Sequence, residues 1–122
     1  MKTQQSRKGG FTLVEIMIVV AIIGLLAAIA IPNFVKARAT AQKNACIANL
    51  KQIDGAVQQW ALEQKKVATD TYAVTDTNLL AYMKGSMLPG GGTCPGGGTY
   101  SAGASVSASP LCSLSSTQGH TL

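Results

Sequence analysis

The chain has 122 residues and a formal net charge of +5, which leaves room for one small domain at most beside its apolar segment. Three of the cations, Lys2, Arg7 and Lys8, precede Gly9-Gly10; without them the side chains carry about +2 by the ordinary charge rules. That is too weak a basic character to argue for a nucleic-acid partner. Histidine occurs once, at His120, and the acids are only Glu15, Asp54, Glu63, Asp70 and Asp76. No catalytic constellation is visible, and no enzyme is expected.

In chain order, residues 1–10 form a charged, glycine-ended leader. An almost continuous apolar run follows over residues 11–31, interrupted by Glu15. As a helix it would be about 31 Å long, enough to cross the hydrocarbon core of a bilayer. Two general readings fit: a single-pass anchor, or a secretory signal peptide with Ala28-Ile29-Ala30 as a small-x-small cleavage site. The second suits the residues less well, because the run is longer than a usual signal core and carries an acid in its first turn. A carboxylate near a helix start gains up to about 1 kcal/mol from the macrodipole. That is less than the roughly 3 kcal/mol a charge costs near the middle of a membrane. Glu15 therefore needs a cationic partner.

The stretch Arg7-Lys8-Gly9-Gly10-Phe11-Thr12-Leu13-Val14-Glu15, with the apolar run and Pro32 after it, resembles the amino-terminus of type IV pilins and type II secretion pseudopilins. The resemblance covers about the first 35 residues. It implies cleavage between Gly10 and Phe11 by a prepilin peptidase, and N-methylation of Phe11. It also implies an inter-subunit charge pair between Glu15 of one copy and the Phe11 ammonium of another. Gly10 suits the cleavage site, since a residue without a side chain enters a protease cleft in extended form at no steric cost. Orientation is not fixed by charge, because Lys36, Arg38 and Lys43 after the run balance the three cations before it. The resemblance places the carboxy-terminal part outside the cytoplasm.

Gly24 and Pro32 are expected kink points of a helix that continues beyond the apolar run. Cys46, Leu50, Ile53, Val57 and Trp60 recur at helical spacing and define one apolar face over residues 32–67. Together with residues 11–31 they predict one bent helix roughly 80 Å long. Cys46 reads as a small hydrophobe on that stripe, with a reactive or bridged thiol as the alternative. Lys65 and Lys66 suit the negative end of the helix.

Residues 68–122 read as a small head. Asp76 or Thr75 would cap a short helix over residues 76–85, with Leu79, Tyr82 and Met83 inward and Gly85 left-handed at its end. The last 38 residues hold nine glycines and eight serines, a composition that alone suits a disordered tail. Residues 99–102 and 111–114 alternate in polarity, however, and predict a hairpin packed on the helix. Cys94 and Cys112 are the expected disulfide, though spacing alone does not fix connectivity. His120 is expected to be solvated. No metal site is expected, because the cysteines lack Cys-x-x-Cys spacing, and no cofactor. The glycine runs lack the lysine and hydroxyl of a phosphate loop.

The fold class expected is α+β: a long kinked helix, transmembrane then amphipathic, with a head of one short helix and a β-hairpin. The resemblance implies a structural subunit of a type IV filament system, stored in the cytoplasmic membrane. Its partners would be copies of itself or related pilins, the peptidase, an inner-membrane assembly platform and lipid. The small head leans this reading toward a type II secretion pseudopilin. A pilus pilin for adhesion, motility or DNA uptake is the alternative, and a membrane-anchored binding module that never polymerises is the second. Pseudopilins often bind calcium through late carboxylates, whereas this chain has no acid after Asp76. That weighs against a calcium-stabilised head.

Overall fold

The structure, a computed structural model, describes residues 9–122. The leader cations Lys2, Arg7 and Lys8 lie outside the described residues. The chain divides into two compact units, Met1–Lys36 and Ala37–Leu122. The first helix, α1, spans Leu13–Glu63 and has Pro32 inside it.

In the first unit α1 starts with reciprocal hydrogen bonds between Thr12 and Glu15. The Thr12 Oγ1 accepts from the Glu15 N–H at 3.2 Å, and the Glu15 Oε2 accepts from the Thr12 N–H at 2.7 Å and its hydroxyl at 2.9 Å. This is a capping box, which satisfies two amide donors that a helix start otherwise leaves open. The apolar run makes α1 the one helix among the described residues long and apolar enough to cross a membrane.

The second unit builds its core on the predicted stripe. Cys46, Leu50, Ile53, Val57 and Trp60 are all buried, joined by Ala56 and Ala61 on the same side of α1. The helix stops at Glu63, short of the expected 32–67 span, because Lys65 adopts φ +51°. The Lys65 N–H donates to the Leu62 carbonyl and the Lys66 N–H to the Ala61 carbonyl. That pair of bonds is a Schellman ending, here made with lysine instead of glycine. Lys66 Nζ then sits 5.7 Å from the Trp60 ring centre, within reach of its π face.

Beyond a turn region, α2 spans Thr77–Leu80, with Asp76 at its cap accepting from the Asn78 N–H. It is shorter than the sequence suggests. The chain passes instead through two 3-10 turns, Lys84–Ser86 and Pro89–Gly92, where Gly85 (φ +74°) supplies the left-handed step. Leu79 and Met83 are buried and Tyr82 half-buried, as its spacing implies. The hairpin is present but small. Strand β1, Tyr100–Ser101, pairs antiparallel with β2, Leu111–Cys112, in the register Tyr100↔Cys112 and Ser101↔Leu111. Gly103 lets the connection close, since an added Cβ would fall 2.4 Å from the Ala108 carbonyl oxygen. Tyr72 fastens this loop: its hydroxyl accepts from the Gly103 N–H at 2.9 Å and donates to the Ala108 carbonyl. A last short helix, α3, spans Ser115–Gln118. The architecture is α+β, a long helix followed by a small head with one two-stranded sheet.

Candidate functional site

Two places concentrate chemistry. The first is the apolar segment of the first unit. Every large apolar side chain from Phe11 to Val35 is between 51% and 85% exposed. An unbroken apolar surface of this extent marks contact with lipid or with another protein. Gly10 and Phe11 are exposed and precede the first helical turn, so the predicted scissile bond lies in irregular backbone. Glu15 is exposed, and Thr12 engages only its Oε2. The carboxylate therefore keeps its second oxygen for another donor. The Thr12 contribution was legible as Thr-x-x-Glu ahead of an apolar run but was not drawn from the sequence.

The second place is in the head, where the sequence suggested no centre. Cys46, Cys94, Cys112 and His120 bring their ligand atoms within 4.8 Å of one another, and all four are buried. Each comes from a different element. Cys46 sits on the apolar stripe of α1. Cys94 opens a tight turn closed by the Cys94 N–H donating to the Gly98 carbonyl at 2.7 Å. Cys112 lies on β2, facing inward. His120 follows α3, whose end residue Gly119 has φ +65° and turns the chain back toward the core.

One sequence expectation is overturned here, and two others gain a geometry. His120 is not solvated but only 1% exposed, because the left-handed Gly119 redirects it. The absence of Cys-x-x-Cys spacing does not keep the ligand types apart, because four elements converge. All three cysteines are free thiols; Cys94 and Cys112 are near one another, but Cys46 is equally part of the group, so proximity singles out no one bridge.

The local electrostatics are uneven. Cys94 Sγ lies 3.2 Å from His120 Nδ1, and accepts from the Gly96 N–H at 3.3 Å. Burial raises the Cys94 thiol, but hydrogen bonds to its sulfur from Cys46, the Gly96 amide and Cys112 outweigh this and leave it below its ordinary value. Burial, helped by the bonds to Cys94 and Cys112, pushes Cys46 up to about 12. Burial likewise lifts Tyr100 to about 12, against the lowering effect of the Asn49 amide, which donates to its hydroxyl at 2.9 Å. Within the group the proton is held less tightly at Cys94 than at Cys46.

An exposed apolar helix with a capped acid at its start, leading into a small α+β unit, is the build of a membrane-anchored subunit. The comparisons with known proteins sharpen this. The prokaryotic N-terminal methylation motif matches residues 5–31. The type IV major pilin protein PilA of Myxococcus xanthus (strain DK1622) is 50% identical over 60 residues, 49% of this chain and 27% of that protein. A fimbrial protein of Pseudomonas aeruginosa is 35% identical over 92 residues, 75% of this chain and 57% of its own length. The type II secretion system core protein G of Klebsiella pneumoniae is 33% identical over 63 residues, 52% of this chain and 45% of its own length. This motif and these relatives support the type IV pilin and type II secretion pseudopilin family. The matched stretches span about a quarter to just over half of the relatives' lengths. No solved structure matches the chain.

Proposed function

We propose that this chain is a structural subunit of a type IV pilus, polymerised through its amino-terminal apolar helix. It is held in the cytoplasmic membrane with the head outside, trimmed between Gly10 and Phe11 by a prepilin peptidase, methylated on Phe11 and fed to an inner-membrane assembly platform. The observation that carries the reading is the apolar surface from Phe11 to Val35, exposed all round in a single chain. Such a surface is satisfied by lipid before assembly and by neighbouring helices after it. Gly24 and Pro32 are the points where that helix would bend to pack. The free Oε1 of Glu15 takes the Phe11 ammonium of a neighbouring copy, which removes the penalty of a lone charge in an apolar core.

A pilus is favoured over the pseudopilus to which the head size leaned. Similarity to the fimbrial protein extends over 92 residues, against 63 for the secretion core protein, and the head lacks late carboxylates. The pseudopilus is the second reading, and the match to the secretion protein supports it.

Two measurements test the proposal. Mass spectrometry of the protein from its own cells should show a chain beginning at Phe11 with one added methyl group. A chain intact from Met1 or clipped after Ala30 overturns the reading. Glu15→Gln should leave the monomer membrane-bound and helical but sharply reduce sheared filaments; filament yield equal to wild type excludes the charge pair.

A further inference from the structure

The thiol and imidazole group in the head is unused by the filament reading, and its composition is specific. We propose that Cys46, Cys94, Cys112 and His120 form a structural site for one zinc ion, which fastens the carboxy-terminal segment to α1. The geometry is close to what such an ion requires. Tetrahedral zinc with three thiolates and one imidazole holds its ligand atoms about 3.5 to 3.8 Å apart, from metal–ligand distances near 2.3 and 2.0 Å. Here all four ligand atoms fall within 4.8 Å, and Cys94 Sγ and His120 Nδ1 are already 3.2 Å apart. Closing the widest separations by up to about one ångström, and opening the Cys94–His120 pair by about 0.3 Å, completes the tetrahedron around the ion.

The surroundings are built for close approach to sulfur. A Cβ at Gly96 would fall 3.0 Å from His120 Cε1 and 3.6 Å from Cys94 Sγ, and one at Gly98 would fall 3.1 Å from Cys112 Sγ. The Gly96 amide points at Cys94 Sγ, the kind of outer hydrogen bond that steadies a ligating thiolate. Lys43 Nζ lies beside Gly119, 3.1 Å from where its Cβ would be. That puts a cation next to His120, against the net charge of −1 that zinc and three thiolates carry together. The donor set also selects the metal: soft sulfur and imidazole exclude calcium and magnesium, which take oxygen. Four protein ligands, none more than 3% exposed, leave no seat for a reacting water. The site is therefore structural and not catalytic.

Its physical role follows from the size of the head. Two strands of two residues each cannot hold a sheet together alone. An ion joining α1, the Cys94 turn, β2 and the segment after α3 closes three long loops at once. On binding, three Cys S–H bonds are broken, three S–Zn bonds and one N–Zn bond form, and three protons leave to solvent.

The test uses the full chain, purified in detergent as a monomer under anaerobic conditions, so that its outcome is independent of filament assembly. Metal analysis should give one zinc per chain. Exchange with cobalt(II) should give the intense visible bands of a tetrahedral site and thiolate-to-cobalt charge transfer. His120→Ala should weaken zinc binding by at least about tenfold, while His120→Cys, which restores a fourth ligand, should keep the stoichiometry and a tetrahedral spectrum with stronger thiolate charge transfer. A variant that fails to fold is thereby separated from one that only loses a ligand. Failure of the fully reduced wild-type chain to take up zinc or cobalt overturns the proposal. So does recovery of the native protein without zinc and two hydrogens light, with two of the three cysteines bridged.

Discussion

The residues up to Lys36 and those from Ala37 onward place the same side chains in opposite settings. In the first unit Leu25 and Leu26 are 68% and 62% exposed; in the second Leu50 and Leu79 are fully buried. Leucine, isoleucine and valine make up 13 of residues 9–36 and 14 of residues 37–122, yet composition alone does not say which of them find cover within the chain. Periodicity does: apolar residues on every side of a helix have no inward face, whereas the stripe from Cys46 to Trp60 has one. The first region draws its structure from local hydrogen bonds and must obtain burial from outside the chain. The second supplies its own cover, from α2, the hairpin and the segment around His120.

That contrast breaks most sharply on a matched pair of substitutions. Leu50→Ala should destabilise the head by about 2 to 5 kcal/mol, read as a lower thermal midpoint of the detergent-solubilised monomer. Leu25→Ala should leave that midpoint within about 0.5 kcal/mol of wild type while reducing filament yield. Equal effects on the monomer would erase the division between the two regions.

Glycine gives a smaller effect with the same logic. Gly98→Ala places a methyl group 2.7 Å from Ser113 Oγ, 2.9 Å from Leu114 Cγ and 3.1 Å from Cys112 Sγ. It should cost the head about 1 to 3 kcal/mol, again seen by thermal unfolding. Gly24→Ala meets nothing within 4 Å, and should strengthen the helix by about 0.5 to 1 kcal/mol, measured by helix content on heating.

The smallest effect is a pH dependence confined to the head. Burial raises the Tyr72 phenol above its ordinary 10.0, more than the Gly103 amide lowers it. The unfolded chain therefore loses this proton first as pH rises. The stabilisation is complete below about pH 10 and fades as pH climbs through the raised value. Tyr72→Phe should remove this part of the alkaline loss, and should also cost about 1 kcal/mol at neutral pH for its hydrogen bonds to Gly103 and Ala108. Unchanged alkaline unfolding in Tyr72→Phe would place the titration elsewhere.

Much of the fold could be read from the chain because it is local. The stripe of Cys46, Leu50, Ile53, Val57 and Trp60 is set by helical spacing. The Asp76 cap and the left-handed Gly85 follow from single residues, and the hairpin from alternation around Pro110. The amino-terminal motif was legible for the same reason, since its parts are contiguous. The grouping of Cys46, Cys94, Cys112 and His120 was not. Those residues are separated by many intervening positions, and only tertiary packing together with the turn at Gly119 unites them. Local spacing rules test for ligands on one loop and are blind to four elements meeting. The early end of α1 was equally hidden, because a lysine at φ +51° carries no compositional mark.

The two oxygens of Glu15 have separate uses. One atom ties the first turn to Thr12; the other is not engaged by Thr12. Under the proposed pilus reading, a subunit in the bilayer has no first turn to wind at the moment of capture, and one that leaves the fibre would return to lipid with that turn already formed.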